Sequence, residues 1–269
     1  MSGEKKTNRL FIGASVVATW PELFPSDEVI KEENRHITIL FFGGLDQNSK
    51  DILMAFPKPD SILSPVGLFS KYVGLPKRSP HLVAMEGKMI AGTDLENYRN
   101  QISKWSEIKK IDFKKPKRPF YPHLTICRKN TNIPKWESEK IKIPFYVDGI
   151  NLYQSHGNSE YEKLKTYLLI PVFEEIQHTA DIAFYVRGES LQSMFINAQM
   201  ALAFKCPSFL DFLETDVKIS SHEQIIMKLN KIVANVDIEI GSPFKAVSFH
   251  GFFTKSELGY NQWEMIVDV

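Results

Sequence analysis

Two segments of the chain share one pattern, His36-Ile37-Thr38-Ile39 and His123-Leu124-Thr125-Ile126. Each lies in a run of β-branched and aromatic residues, the first ending on Gly43-Gly44, and such runs read as strands. Side chains alternate along a strand, so each His shares a face with the Thr two positions on, while Ile37, Ile39, Leu124 and Ile126 take the other face. A chain carrying this pattern twice, 87 positions apart, must place two strands that each bury an aliphatic face and present one imidazole and one hydroxyl. If the two strands lie side by side, the four polar groups meet in one groove: two hydroxyl donors for a phosphoryl oxygen, and an imidazole on either side of it. Histidine titrates near pH 6.5, so one ring can be neutral and the other protonated, as paired general base and general acid catalysis requires. His81-Leu82-Val83 begins alike but lacks the hydroxyl, and His81 reads as structural.

The rest of the first half is also rich in strand signals. Arg9 to Val17 reads as a buried strand, and an irregular connection containing Pro21 and Pro25 follows it. Further strands are expected at His81 to Met85, Ile141 to Tyr153 and Tyr161 to Phe173. Thr93-Asp94-Leu95-Glu96 has the form of a capping box, and Leu95, Tyr98, Ile102 and Trp105 follow at helical spacing, which predicts a helix over 93–106. In the second half a strand over Ile182 to Val186 leads through Gly188-Glu189-Ser190 into a helix whose one face is traced by Leu191, Met194, Phe195, Ala198 and Leu202. A second helix starts at Ser221, with Gln224 placed to complete a capping box. Phe244 to Phe253 and Trp263 to Val269 read as closing strands.

Charge divides the chain at the same point. The net charge of +1 over 269 residues is the sum of two unlike parts. Residues 1–171 hold 26 Lys and Arg against 19 Asp and Glu, and residues 172–269 hold 7 against 13. Such asymmetry suits an anionic partner for the first part and a cationic or metal partner for the second. The densest basic stretch is Lys104, Lys109, Lys110, Lys114, Lys115, Lys117 and Arg118. Two cysteines, Cys127 and Cys206, cannot build a disulfide framework and show no metal-ligand spacing, so they read as core residues of a protein in a reducing compartment. No signal-peptide pattern opens the chain and no apolar run nears the ~18 residues that span a bilayer, so a cytoplasmic location without membrane association is expected.

The paired motifs resemble the 2H phosphoesterase superfamily, and within it the RNA 2′,3′-cyclic phosphodiesterases also known as 2′-5′ RNA ligases. The likeness runs over about residues 8 to 171: the Arg9 to Ala14 strand, His36-Ile-Thr-Ile with Phe41 and Gly43, the Leu75-Pro76-Lys77-Arg78-Ser79-Pro80 approach to a strand, and Phe120-Tyr121-Pro122-His123-Leu-Thr-Ile with Arg128. It implies an α+β fold of two pseudo-symmetric βα lobes, no cofactor, and hydrolysis of an RNA 2′,3′-cyclic phosphate to a 2′-phosphomonoester. By the same resemblance His36 protonates the leaving 3′ oxygen, His123 activates water, and Thr38 and Thr125 hold the phosphate, with Arg128 as a further phosphate contact. Arg128 lies at odd spacing from His123, so a strand end or a bulge is needed to turn it into the groove.

The second half resembles archease, the small activator of the GTP-dependent RNA-splicing ligase. The likeness rests on Gln177-His178-Thr179-Ala180-Asp181-Ile182, the Gly188-Glu-Ser-Leu turn with its helix, Phe244 to Gly251, and Trp263 to Val269. It implies a metal site on Asp181, Asp216 and Asp268, and three carboxylates suit a divalent cation such as Ca²⁺ or Mg²⁺. The sequence thus leads to an RNA-end-processing enzyme over residues 1–171, joined to a shortened, small α+β archease-like domain over 172–269. Its partners are RNA with 2′,3′-cyclic phosphate ends and an RNA-splicing ligase. Two other readings stay open: an accessory factor that only clamps RNA ends, and a cyclic phosphodiesterase of small nucleotides.

Overall fold

The structure is a computed structural model that describes residues 8–128, 132–178 and 181–269. Seven strands of the first part form one hydrogen-bonded sheet: β1 (Asn8–Ala18), β2 (His36–Leu45), β3 (Val66–Leu75), β4 (Leu82–Ala91), β5 (His123–Cys127), β6 (Lys140–Gly157) and β7 (Glu160–Leu168). Their order is β1-β2-β5-β4-β3-β6-β7, and an additional pairing of β1 with β6 closes the first six into a barrel. The length of β6 makes this closure possible. Its first part, Lys140 to Tyr146, pairs with β3, its later part from Gly149 pairs with β7, and its other edge holds β1 from Phe145 to Gln154. The strands that carry the two His-x-Thr motifs, β2 and β5, are therefore adjacent members of one continuous ladder.

Burial alternates along these two strands as period-two spacing requires. Ile37, Ile39, Leu124 and Ile126 are buried, while His36, Thr38, His123 and Thr125 are half-buried on the opposite face. The aliphatic face packs with Leu10, Ile12, Leu53, Tyr98, Ile102, Trp136 and Phe145 into the first core. Around it lie α1 (Gln47–Leu53), α2 (Leu95–Ile108) and α3 (Ile133–Ser138). The Asp94 carboxylate caps α2, accepting from the N–H groups of Glu96 and Asn97 at 2.9 and 3.1 Å.

Between β1 and β2 the chain is irregular, as the prolines suggested, with a short 3-10 turn at Glu32–Asn34. Two contacts fix it. Ile30 N–H donates to the carbonyl of Ile126 at 2.7 Å, and Val29 bridges to Cys127. The Arg35 guanidinium lies over the rings of Trp20 (4.6 Å) and Phe24 (5.1 Å) and donates through Nε to the Ile30 carbonyl at 2.9 Å. This strap crosses the end of β5 and forms one wall of the groove described below.

The second part is a four-stranded antiparallel sheet in the order β10-β11-β9-β8, built from β8 (Phe173–Ile176), β9 (Ile182–Gly188), β10 (Ala246–Lys255) and β11 (Asn261–Asp268). Helices α4 (Leu191–Lys205) and α5 (His222–Ile240) pack with it. Ser190 caps α4 through a reciprocal box with Ser193, and Ser221 caps α5. The Gln224 side chain reaches back to the Ser220 N–H at 2.9 Å, one residue before the expected cap. The single apolar face expected for α4 widens into a helix buried nearly all round, because it is enclosed by β9, α5 and the barrel strands β4 and β6. Its two polar core residues are satisfied locally. Asn197 donates to the Arg187 carbonyl at 2.7 Å, and Gln199 exchanges bonds with both backbone groups of Glu214. This second core also takes in Leu63 and Val66 from the barrel side, so the two parts share a packed junction. Cys127 is buried and Cys206 half-buried, and neither forms a disulfide. Among the described residues no helix is long and apolar enough to cross a membrane.

Candidate active site

The groove is fixed by one register. β2 and β5 pair antiparallel through Ile37 and Leu124. Stepping outward from that pair sets His36 opposite Thr125 and Thr38 opposite His123, all four on the face away from the core. Opposed residues on a sheet have Cβ atoms about 4.5–5.5 Å apart, so each imidazole lies beside the hydroxyl supplied by the other strand. The arrangement has a local two-fold character that follows from the repeat itself.

Both rings are held in the same way. His36 Nδ1–H donates to the carbonyl of Asn34 at 2.8 Å, and His123 Nδ1–H donates to the carbonyl of Tyr121 at 2.8 Å. A carbonyl can only accept, so in each ring Nδ1 carries a hydrogen and Nε2 is left to work in the groove. His81 makes the same contact two residues back, to Ser79 at 3.3 Å, but it is exposed, precedes β4 and lines no part of the groove.

Beyond these anchors the two imidazoles have different surroundings. His36 sits among aromatic rings: Phe11 stacked at 4.7 Å, Tyr161 edge-on at 4.8 Å and Tyr153 at 5.2 Å. Gly13 permits the closeness, since a Cβ there would lie 3.2 Å from the Tyr153 ring and 3.3 Å from that of His36. Burial in this cage pushes His36 down to about 4, against the contrary pull of its bond to Asn34, and the charges of Arg128, His123 and Lys163 push the same way. Within the folded chain alone, His36 is therefore neutral at pH 7. His123 instead stacks on Tyr121 at 5.6 Å, and the Tyr121 phenol donates to the Glu86 carboxylate. Glu86 lies opposite His123 on β4 and pairs with Lys71 at 3.1 Å. Burial raises the Glu86 carboxyl, but the bonds from Tyr121 and Lys71 outweigh it and leave it below the usual range.

Two recesses meet at Thr38. One, of about 630 Å³, lies on the His36 side and is bounded by Phe11, Phe41, Tyr161, Arg9, Lys31 and Arg128. The other, of about 520 Å³, lies on the His123 side, where Lys114, Lys115, Lys117 and Arg118 of the basic stretch form its wall with Arg99. Thr38 touches both and Thr125 neither, so the two hydroxyls are not equivalent in reach. Arg128 follows the last residue of β5, beside a register shift between Val83 and Ala84 of β4, and lines the His36 recess. Sequence spacing did not single out Phe11, Tyr153 and Tyr161, which form the cage, or Glu86 and Tyr121, which hold His123.

The three carboxylates expected to hold a metal do not gather. Asp181 and Asp268 flank the last register pair of β9 with β11, Ile182 with Val267, and so lie near one another. Asp216 stands exposed in the loop before α5, and among the described residues no three His, Cys, Asp or Glu side chains form a group able to hold a metal ion. The nearest pairing is His178 Nδ1 with Asp181 at 3.8 Å. The metal site expected on Asp181, Asp216 and Asp268 is thus not seen as a group of three among the described residues.

No family model matches the chain, and no curated protein matches it. Among solved structures it is similar to Escherichia coli LigT complexed with NADP+, at 19% identity and a TM-score of 0.42 over 61% of this chain and 98% of that one. A second, described as a phosphoesterase, has 18% identity and a TM-score of 0.42 over 61% and 98%. A third, TT0787 of Thermus thermophilus, has 16% identity and a TM-score of 0.46 over 60% and 97%.

Proposed function

We propose that residues 1–171 form a phosphodiesterase that opens RNA 2′,3′-cyclic phosphates to 2′-phosphates. The observation that carries this reading is the register of Ile37 against Leu124, which brings two imidazoles of fixed tautomer and two threonine hydroxyls onto one face. Water attacks phosphorus opposite the 3′ oxygen. One imidazole takes its proton through Nε2, the P–O3′ bond breaks, and the other imidazole delivers a proton to the departing oxygen. Thr38 and Thr125 donate to the non-bridging oxygens, and Arg128 adds charge from the His36 side. Anchoring of both Nδ1 atoms favours an enzyme over a clamp, because a phosphate-binding site has no need of two fixed tautomers and would be served by Arg or Lys. The test is incubation with an oligonucleotide ending in a 2′,3′-cyclic phosphate, with and without EDTA. Opening to the 2′-phosphate at equal rates in both is expected, and an unchanged substrate would move the reading to a non-catalytic RNA-end binder.

If His36 is the proton donor, as the resemblance implies, it must gain a proton when the phosphate arrives, since the cage alone keeps it neutral. An anion between the rings supplies that drive. Binding of 2′-AMP near pH 6 is accordingly expected to take up protons from buffer. Calorimetry in two buffers of different ionisation enthalpy measures this, and equal heats in both would assign the donor role to the other ring.

The basic wall of the second recess suits a polynucleotide better than a lone nucleotide. Each phosphate neutralised releases counterions, with a slope of about −0.7 per contact in log affinity against log salt for single strands. Replacing Lys114, Lys115 and Lys117 together by Gln should flatten that slope by roughly 2 for an oligonucleotide and leave the affinity for 2′-AMP unchanged. Equal losses for both ligands would count against an RNA path along this wall. For residues 172–269, the reading as a module that assists an RNA-splicing ligase rests on the segment 177–182 and the closing strands.

A further inference from the structure

A third cavity lies at the junction of the two parts, on residues that neither recess of the groove uses. It measures about 260 Å³ and is lined from the barrel side by Ser64, Thr93, Asp60 and Asp94 and from the second part by Glu189 and Asn197. Among the described residues its charged lining is all carboxylate, with no Lys, Arg or His. Each carboxylate is engaged through a single oxygen: Asp60 Oδ2 by the Gln101 amide at 3.0 Å, Asp94 Oδ1 by the first turn of α2, and Glu189 Oε1 by the Ser61 hydroxyl at 2.6 Å. The second oxygen of each remains to accept.

An independent feature points to an occupant. Ser64 is 1% exposed, it lines this cavity, and among the described residues its hydroxyl has no hydrogen-bond partner. The Thr93 hydroxyl is buried without a partner on the same wall. A buried polar group left unpaired costs about 1–3 kcal/mol, so a ligand that supplies a partner at this wall would offset that cost for both hydroxyls. The donors such a ligand must bring are set by what lines the cavity: carboxylates that only accept and hydroxyls that can accept. Negative charge excludes a phosphate. A metal ion is a poor fit, since no three ligating side chains are grouped among the described residues. The volume lies just under the ~300 Å³ at which small-molecule sites usually begin.

We propose that this junction cavity binds a small organic cation bearing primary ammonium groups, a diamine or short polyamine, held by Asp60, Asp94 and Glu189 with Ser64 and Thr93 accepting from its N–H groups. An ammonium supplies three donors and no acceptor, which matches the three carboxylates and the Ser64 and Thr93 hydroxyls. Because Asp60 and Asp94 belong to the barrel part and Glu189 to the turn before α4, the ligand ties the two parts together and stabilises them jointly.

The test is calorimetric titration of the full chain with 1,4-diaminobutane and with spermidine at 0.15 M NaCl. Saturable one-site binding is expected, together with a higher melting temperature. Glu189→Gln, at an exposed position, should weaken binding at least tenfold, and Glu257→Gln, an exposed carboxylate elsewhere, should leave it unchanged. No saturable heat at millimolar ligand, equal affinity in Glu189→Gln, or the same melting shift with NaCl alone at matched ionic strength would each overturn the proposal. Phosphodiesterase activity plays no part in any of these readouts.

Discussion

His123→Ala is expected to lower the rate of cyclic phosphate opening by roughly 10²- to 10⁴-fold, the usual contribution of one positioned acid or base, while affinity for the RNA stays near that of the parent. On the proposed reading the two effects separate, because His123 would supply one Nε2 to the reaction, whereas Lys114, Lys115, Lys117, Arg118, Phe41 and Tyr161, which line the recesses, would hold the substrate. His36→Ala should cost as much in rate. Since the rings act on the same transfer, the double variant should lose little beyond either single one, as groups that work as a unit are not additive. Single-turnover kinetics with a 2′,3′-cyclic oligonucleotide, alongside binding of a non-hydrolysable analogue, reads both quantities. Activity of His123→Ala within a few fold of the parent would sink the assignment of the groove as a catalytic site. A parallel fall in affinity would instead point to a ring that serves mainly to bind.

The parts of this site that could be read from sequence are those set by period two. Alternation along a strand fixes which side chains share a face, so His36 with Thr38 and His123 with Thr125 needed no knowledge of the fold. What lies across from each could not be read, because register depends on pairings that no local pattern encodes. Phe11, Tyr153 and Tyr161 look like ordinary strand aromatics until β6 pairs with β1 on one edge and β7 on the other and brings them to His36. Glu86 is likewise an unremarked charge on a strand until β4 pairs with β5 and puts it opposite His123. Arg35 shows the converse. It is buried next to the acidic pair Glu32 and Glu33 because its guanidinium lies over the rings of Trp20 and Phe24, and those contacts help hold the irregular strap. The expected metal site shows the same limit: three aspartates spread over 88 positions meet only if the intervening loop returns to the sheet end, which no local pattern encodes, and the loop before α5 leaves Asp216 exposed.

The cage around His36 also has a price in stability, and acid should reveal it. The ring titrates near 6.5 in the unfolded chain and at about 4 in the folded one. Protons therefore bind the unfolded chain more readily between those values. The folded state is unaffected above pH 6.5, loses stability as pH falls below it, and stops losing it on this account once pH passes below the folded value. The difference amounts to about 2 kcal/mol at pH 5 and about 3 kcal/mol at pH 4. Carboxylates titrate over the same range, so the effect is read as a difference. Urea unfolding of the parent and of His36→Gln, whose amide does not titrate, should show a gap that shifts by about 2 kcal/mol in favour of the variant between pH 7.5 and pH 5. Inorganic phosphate bound between the rings favours the protonated ring and should shrink that shift in the parent. A gap independent of pH would mean that water reaches the ring through the recess and that Phe11, Tyr153 and Tyr161 do not exclude it. His36 would then enter the reaction already protonated near pH 6, and substrate binding would no longer have to supply the proton.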